Sequence, residues 1–326
     1  MRAAVIRTHG RPPVPTEHDS PRPTERSAVV AVTAAPITPL DLLCATGASY
    51  FGAPRLPYVP GVQGVGVVQD GASVPRGSRV WFPTSAGMQP GDGSMAEYAC
   101  VPESGLVVLP DEVDDTLVAA LGLSAVAGWM ALTRRAGLRP GEQVLVLGAG
   151  GVVGQVAVQA AKLLGARRVV AACRSAVAQE RAHRSGADVV VPLFDDDEPD
   201  VLATRLSEAC DGPVDVVIDP VFGVPASAAA QLLGEHGRLV NLGSSAGETA
   251  VFSSATLRSR TASVLGYTNN DLTPAQTREG LLQVLGHAAE SGLTVDHDVV
   301  PLDSVSTAWQ EQAEGTAAGR IVVRIA

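Results

Sequence analysis

Aromatic and charged residues are scarce in this sequence. Phe, Trp and Tyr make up 4% of its 326 residues and charged residues 18%, whereas 46% are hydrophobic. Alanine, valine and glycine therefore fill the interior, which suits parallel strands packed closely against helices. A chain of this length and composition is expected to form two compact domains.

Paired cysteines are also missing. Cys44, Cys100, Cys173 and Cys210 are scattered without a C-x-x-C spacing. This distribution provides no framework for disulfide bonds or zinc and is typical of a reducing compartment. The N-terminal residues contain no long apolar segment, so we predict no secretory signal. The sequence therefore predicts a cytoplasmic protein.

Basic residues are outnumbered by acidic ones, which gives a net charge of −10 at pH 7. Such a charge opposes binding to a phosphate backbone, so nucleic acid is not expected as a main partner. The acidic run from Asp195 to Asp200 lacks the ligand spacing of a calcium loop and is predicted to be a solvated loop.

The most informative segment combines a strand, a glycine turn and a helix. Branched apolar residues at Val144–Leu147 predict a buried strand, and the alanine-rich stretch Gln155–Leu164 predicts a helix. Glycines between them let the backbone approach a pyrophosphate, whose charge faces the free N–H groups of the helix. A second strand at Arg168–Cys173 completes the unit, which predicts a dinucleotide site. The turn is Gly148-Ala149-Gly150-Gly151-Val152-Val153-Gly154.

Two other interpretations fit this segment less well. Val144–Ala166 is long enough to span a membrane, but its glycines and the polar Gln155, Gln159 and Lys162 oppose that assignment. An ordinary strand–turn–helix connection that binds no ligand is also disfavoured, because the strand, the helix and the second strand have the order and length of a dinucleotide-binding unit.

The end of the second strand predicts which cofactor binds. An Asp or Glu there would accept hydrogen bonds from the ribose 2′-hydroxyl of NADH. This strand ends instead in Arg174 and Ser175. A guanidinium followed by a hydroxyl suits a 2′-phosphate through charge-assisted hydrogen bonds. The sequence therefore predicts that NADPH binds. The alternative is that Arg174 is a solvated loop residue without a role in cofactor binding.

The sequence pattern of the chain changes near residue 110. Up to Pro110, short apolar runs broken by Pro and Gly predict a β-rich domain. Acids at Asp111–Asp115 then precede an apolar stretch, Leu117–Leu132, as expected at a helix start. Strands and helices alternate beyond it, which predicts a doubly wound parallel α/β sheet. The last strand, Arg320–Ile325, is expected to return to the first domain.

Short motifs recur along nearly the whole chain. In order they are Thr38-Pro39-Leu40-Asp41 with Gly47, Leu56–Gly61, Arg76–Val80, Met95–Tyr98, Arg139–Val146, the glycine turn, Ser185–Asp188, Val214–Asp219 and Gly237–Val240. Each is weak alone, but in this order they are jointly specific. The chain resembles the medium-chain dehydrogenase/reductase superfamily, and within it the zinc-free, zeta-crystallin-like quinone oxidoreductases.

The resemblance implies a fold and a set of cofactor residues. Residues 1–118 and 272–326 would form a GroES-like catalytic domain, and residues 119–271 a Rossmann NADPH-binding domain. A homodimer would form through the edge strand Ala262–Tyr267. The cofactor residues implied are Gly148, Gly151, Val152, Val153 and Gly154 at the pyrophosphate, Arg174 and Ser175 at the 2′-phosphate, and Gly243, Ser244, Gly266 and Tyr267 toward the ribose and nicotinamide.

The chain also departs from its zinc-dependent relatives. Thr38 stands where they have a zinc-ligating Cys, and Val62 and Gln63 stand where they have His and Glu. A tetrahedral zinc site needs such ligands, so no metal is expected. Thr38 also replaces the Asn that is usual in the quinone oxidoreductase branch, and Val152 replaces a frequent Gly.

The predicted reaction follows from the missing metal. Without a Lewis acid an ordinary ketone is hard to reduce. Hydride transfer to a quinone or an α,β-unsaturated carbonyl instead spreads charge over an enolate, which a few hydrogen bonds stabilise. We expect Tyr50 to stack on the small-molecule substrate and donate a proton, Thr38 to donate from its hydroxyl, and Gln63 to lie near the substrate.

Other functions remain open at this point. A biosynthetic enoyl reductase or a cyclase-like relative with a specialised substrate would share these features, as would a non-catalytic NADPH-binding protein. A serine hydrolase is a distant alternative, because Gly243–Gly247 matches G-x-S-x-G around Ser245 after a predicted strand, with Asp296 and His297 downstream.

Overall fold

The computed structural model describes residues 1–71 and 73–325, which divide into two compact units. The first unit contains the residues up to Leu123 together with those from Thr294 onward, and the second is Ser124–Leu293. Helices and strands are numbered along the chain below.

The first unit is built mainly from antiparallel strands. In Ser27–Pro36 every second residue is buried up to Ala34, as expected for a strand with one face on a core, and the last three residues are all buried. The strands are β1 Arg2–Val5, β2 Val14–Glu17, β3 Ser27–Pro36, β4 Gln63–Asp70, β5 Arg79–Pro83, β6 Tyr98–Pro102, β7 Val107–Val108, β14 His297–Pro301 and β15 Arg320–Arg324. The larger sheet has the order β14-β15-β3-β4-β5-β7, with β6 on β3, and β1 pairs with β2. The C-terminal strand thus joins the first unit, as predicted.

The helices of the first unit are few. α1, Pro39–Thr46, begins with a capping box between Thr38 and Asp41 and ends at Gly47 in the left-handed conformation. α9, Val305–Glu314, precedes the last strand.

The second unit contains six parallel strands in the order β10-β9-β8-β11-β12-β13. The central strand β8 is buried along its whole length, which explains its uninterrupted apolar sequence. The strands are β8 Gln143–Leu147, β9 Arg168–Cys173, β10 Val189–Pro192, β11 Val214–Asp219, β12 Leu233–Asn241 and β13 Ser263–Gly266. The chain order reverses on either side of β8, so the carboxyl ends of β8 and β11 border the crevice where such sheets bind ligands. The predicted doubly wound α/β fold is confirmed.

Helices cover this sheet. They are α3 Val152–Leu163, α4 Ala176–Arg184, α5 Pro199–Ala209, α6 Gly223–Ala230, α7 Ser254–Ser259 and α8 Pro274–Ala289. The sequence places α8 in the first domain, but it lies in the second unit. Trp129 Nε1 donates to Gln283 Oε1 of α8 at 2.7 Å, and a Cβ on Gly280 would lie 3.0 Å from Met130 Sδ. This packing explains the difference.

Helix α2, Asp115–Met130, contains a break at Gly122, where φ is 32° and ψ is −132°. A π-helix, Ala131–Ala136, continues from its end. Asp115–Ala136 is apolar and long enough to span a membrane by composition alone. However, 67% of its most apolar window is buried inside the protein, as expected for a core helix. The segment that the sequence raised as a span, Val144–Ala166, forms β8, the turn and α3.

All four cysteines are free thiols. Cys44 and Cys173 are buried, and burial raises the pKa of each to about 11. Burial also raises the pKa of Cys210 to about 11. The thiol of Cys100 donates to Ser27 Oγ at 3.3 Å.

Candidate functional site

The glycine turn folds tightly on itself after β8. Gly148 has a φ of 62°, a conformation that side chains other than glycine rarely adopt. A Cβ on Gly154 would overlap with the carbonyl oxygen of Gly148, and a Cβ on Gly150 would overlap with the side chain of Ala178. These close approaches explain why the turn is built from glycine.

Helix α3 begins directly at this turn. Gly151 is the N-cap residue of this helix, and among the described residues no side chain forms a capping hydrogen bond there. Gln155 Nε2 instead donates to the carbonyl of Gly150 at 3.0 Å and anchors the turn. The N–H groups of the first helical turn, which include those of Val152 and Val153, lack intrahelical partners. A turn without Cβ atoms and an uncapped helix start fit the pyrophosphate of a dinucleotide.

Arg174 and Ser175 follow β9, the neighbour of β8. The Arg174 side chain is 68% exposed, and its closest ion-pair partner is Asp195, with Nη1 and Oδ1 3.5 Å apart. Ser175 Oγ accepts a hydrogen bond from the N–H of Ala178 at 3.2 Å and caps α4. The guanidinium is therefore accessible to an anion, and the Ser175 hydroxyl keeps its proton for donation.

The remaining cofactor residues lie at the ends of β12 and β13. Asn241 and Gly266 are paired in register, and Tyr267 N–H donates to the Asn241 carbonyl at 2.8 Å. The Tyr267 hydroxyl donates to Asn269 Oδ1 at 2.7 Å, and burial raises its pKa above the usual range. Ser244 Oγ donates to Glu248 Oε1 at 2.6 Å. The predicted cofactor residues thus share the carboxyl edge of one parallel sheet.

Asp219 is a residue of this edge that the sequence analysis did not single out. It ends β11 and is fully buried, and burial raises the pKa of its carboxyl. A lone acid ending an apolar run, Val214-Asp215-Val216-Val217-Ile218-Asp219, was the available signal. A carboxylate placed there needs hydrogen-bond donors around it.

In the first unit, Thr38 is committed to local structure. Its side chain is 4% exposed, and Oγ1 donates to Asp41 Oδ2 at 2.6 Å. The other oxygen of Asp41 accepts from the N–H groups of Gly61 and Val62 at 3.0 and 2.9 Å. The proton of the Thr38 hydroxyl is therefore engaged, and the pair ties the start of α1 to the segment before β4.

Gln63 is buried and occupies the break in helix α2. Its Oε1 accepts from the N–H of Leu123 at 2.6 Å, and its Nε2 lies 3.4 Å from the carbonyl of Ala119. An unbroken helix would join these two backbone groups to each other. Trp81 Nε1 also donates to Gln63 Oε1 at 3.1 Å. The amide fills the space that a Cβ on Gly122 would need.

Tyr50 differs from Thr38 and Gln63 because it is exposed. Its side chain is 79% exposed, and its ring centroid lies 4.2 Å from that of Phe51. Both rings belong to the loop after α1. Tyr50 is thus the accessible member of the three predicted substrate residues.

The structure opposes the hydrolase alternative. The Nε2 of His297 lies 3.1 Å from Thr116 Oγ1, and its Nδ1 lies 3.2 Å from the carbonyl of Val295. An imidazole with both nitrogens engaged by other groups does not serve as the base for Ser245.

Within residues 1–71 and 73–325, no group of three or more His, Cys, Asp or Glu side chains could hold a metal ion. The positions of Thr38, Val62 and Gln63 supply neither thiolate nor imidazole nor carboxylate.

Two family models match the chain. Residues 24–111 match the alcohol dehydrogenase GroES-like domain, and residues 152–286 match the family described as zinc-binding dehydrogenase. Quinone oxidoreductase from Lama guanicoe is 29% identical over 251 residues, which are 75% of this chain and 73% of that protein.

Solved structures with the same fold cover the whole chain. A probable oxidoreductase from Mycobacterium abscessus is 29% identical with a TM-score of 0.83, over 100% of this chain and 99% of that one. Quinone oxidoreductase from Escherichia coli, solved with NADPH, has a TM-score of 0.86 at 22% identity, over 100% of both chains. The likeness to the second protein concerns the fold alone.

Proposed function

The chain belongs to the medium-chain dehydrogenase/reductase superfamily, in its quinone-oxidoreductase-like branch, and from this we propose an NADPH-dependent, metal-independent oxidoreductase. Its reaction is hydride transfer to a quinone or to the double bond of an α,β-unsaturated carbonyl. The observation that carries the proposal is the carboxyl edge of the parallel sheet. The glycine turn, the uncapped start of α3 and the accessible Arg174 follow adjacent strands there.

The residues of this edge have distinct roles in the proposal. The N–H groups of Gly151–Gly154 bind the pyrophosphate, and Arg174 and Ser175 bind the 2′-phosphate. Gly243, Ser244, Gly266 and Tyr267 border the ribose and nicotinamide. When bound, NADPH supplies the hydride. The choice of NADPH depends on Arg174 and Ser175, which follow β9 where a carboxylate would favour NADH.

On the substrate side we assign two kinds of role. Tyr50 offers an exposed ring for stacking and a hydroxyl for proton donation. Thr38 and Gln63 act as positioning residues, because their polar atoms already bind Asp41, Leu123 and Trp81. A conjugated acceptor suits such a site because its developing charge spreads over an enolate, for which hydrogen bonds suffice.

The proposal extends to the assembly and location of the protein. The family resemblance implies a homodimer through the edge strand β13 and a cytoplasmic protein that acts on small molecules, without nucleic acid or membrane as partner. In the order of the described strands β13 lies at the end of the sheet beside β12, and a second copy would pair with its other side.

The test is NADPH oxidation by chelator-dialysed protein across quinones, simple enones and enoyl thioesters. We expect turnover of at least one class without added metal. Gly154→Ala should abolish NADPH binding, since its Cβ would overlap with the Gly148 carbonyl, whereas Gly286→Ala, which has open space, should bind normally.

Each result decides between the functions. Turnover that appears only after zinc is added would contradict metal independence. Tight NADPH binding with no turnover of any acceptor would favour a specialised biosynthetic reductase, a cyclase or a non-catalytic NADPH-binding protein. If the protein does not bind NADPH, the oxidoreductase proposal fails.

A further inference from the structure

A buried carboxyl, that of Asp219, and a half-buried amide, that of Asn241, connect the ends of three neighbouring strands. Asp219 ends β11, Asn241 ends β12, and the two residues are paired in register. Asn241 is in turn paired with Gly266, which ends β13. The three residues therefore form one row at the carboxyl edge of the sheet.

The Asp219 carboxylate fixes the loop that follows β11. Its Oδ1 accepts from the N–H groups of Val221 and Phe222 at 3.1 and 2.7 Å. Phe222 has a φ of 57°, which a residue with a side chain rarely adopts. The carboxyl oxygen that accepts from its N–H holds this residue in its strained conformation.

The Asn241 amide fixes the loop that follows β12. Its Nδ2 donates to the Gly243 carbonyl at 2.7 Å and lies 3.3 Å from Asp219 Oδ2. Both neighbours are acceptors, so the amide must present its NH₂ group here. The main chain of Asn241 contributes as well, because its carbonyl accepts from Tyr267 N–H at 2.8 Å.

The two loops are also joined directly. The N–H of Ala246 donates to the Val221 carbonyl at 2.7 Å. A Cβ on Gly243 would meet the carbonyl oxygen of Pro220 at 2.5 Å, and a Cβ on Gly148 would meet Val221 at 2.7 Å. The loop after β11 thus lies between the glycine turn and Gly243, and its position sets the space between them.

We propose that Asp219 and Asn241 are positioning residues that shape the nicotinamide–ribose end of the cofactor site. The inference rests on the proposed function and deepens it. The Oδ1 of the fully buried Asp219 accepts from Val221 and Phe222, and the NH₂ group of Asn241 donates to the Gly243 carbonyl, so both side chains bond loop backbone. Together they hold the backbone of Gly243 and Tyr267 in place, while the pyrophosphate and 2′-phosphate sites are built by other residues.

The test compares two ligands that differ in the part of the site they reach. NADPH spans the whole site, whereas adenosine 2′,5′-bisphosphate reaches Arg174, Ser175 and the adjoining part of the pyrophosphate turn but lacks the nicotinamide–ribose half. We expect Asn241→Ala to weaken NADPH binding about tenfold and to leave the bisphosphate within about twofold. Affinities are measured by fluorescence titration and calorimetry, so turnover is not needed.

A second variant guards against loss of folding. Asp219→Asn keeps the volume and an acceptor for Val221 and Phe222, but it places NH₂ against NH₂ at Asn241. It should weaken NADPH by about threefold and again spare the bisphosphate.

The matched control is Gln143→Ala. Gln143 is as fully buried as Asp219, and its Nε2 bonds two backbone carbonyls, those of Gly212 and Pro213, but at the amino end of β8. It should lower stability without changing either affinity.

The outcomes separate this inference from the proposed function. Suppose that wild type binds NADPH but that Asn241→Ala and Asp219→Asn either weaken both ligands equally or weaken neither. The positioning role is then refuted, while the proposed function stands. If wild type binds the bisphosphate but not NADPH, both are refuted.

Discussion

The guanidinium of Arg174 is the residue on which cofactor choice depends. It is exposed and has a weak ion pair with Asp195 at 3.5 Å. Exposed pairs of this kind contribute little to stability, so the side chain is available to a 2′-phosphate at small cost. No carboxylate ends β9 to bind the ribose of NADH instead.

Replacing this arginine should therefore change binding and not folding. We expect Arg174→Ala to weaken NADPH by about 1.5–3 kcal/mol and to leave NADH nearly unchanged, because charge-assisted hydrogen bonds to the 2′-phosphate are lost. Fluorescence titration measures both affinities. Arg167→Ala is the control, since Arg167 also pairs with an exposed aspartate, at 3.9 Å, but precedes β9. Equal losses for the two cofactors would refute the assignment.

For single residues, the sequence predicted which side chains are candidates for the site better than it predicted their hydrogen-bond partners. Arg174 could be singled out because its position after an apolar strand is visible in the sequence. The partners of Thr38 and Gln63 could not, because Gly61, Leu123 and Trp81 approach them only in the folded chain. Their roles as substrate contacts remain predictions, and the hydrogen bonds favour positioning.

Among the helices and strands, α2 has a feature that the sequence does not predict, the break at Gly122. Gly122 lies in a continuous apolar stretch, so the sequence predicts one unbroken helix. The break forms because the Gln63 amide, from β4, bonds the N–H of Leu123 and the carbonyl of Ala119. By contrast, β9 begins and ends where predicted, since it is an apolar run bounded by polar or turn residues.

Removing the amide should destabilise the protein. We expect Gln63→Ala to lower the free energy of unfolding by about 2–4 kcal/mol, because three buried polar groups lose their side-chain partner. Gly122→Ala should also destabilise wild type, since its Cβ would overlap with the amide. In a protein that already carries Gln63→Ala, Gly122→Ala should lower the free energy of unfolding by less than it does in wild type.

Urea unfolding of the single and double variants measures this coupling. Gln69→Ala serves as the control, because Gln69 lies on the same strand and its amide lies 3.5 Å from the Val67 carbonyl. Strictly additive losses for Gln63→Ala and Gly122→Ala would show that the amide does not maintain the break.

For the whole molecule, two compact units and a sheet with a free edge are the main features. The alternation of strands and helices predicted the second unit, but it could not show that α8 packs on Trp129 and Met130. Contacts between segments distant in sequence leave no periodic signal in either one. The edge strand β13 was visible as an apolar run, and Val264 on it is 36% exposed.

The proposed homodimer can be tested at that edge. Sedimentation velocity should give wild type a mass of twice 33.4 kDa. Val264→Arg should shift it to the monomer, because a desolvated charge at an apolar interface is costly. Val251→Arg, at a valine that is 81% exposed, should leave the dimer intact. A monomeric wild type would contradict the assembly.

The state of the cysteines matters for a protein that handles conjugated acceptors. Quinones and enones are electrophiles, and the species that attacks them is the thiolate. Cys44, Cys173 and Cys210 have pKa values raised to about 11, so each keeps its proton at neutral pH. Burial therefore protects the thiols of Cys44, Cys173 and Cys210 from alkylation by the compounds that the protein is proposed to reduce.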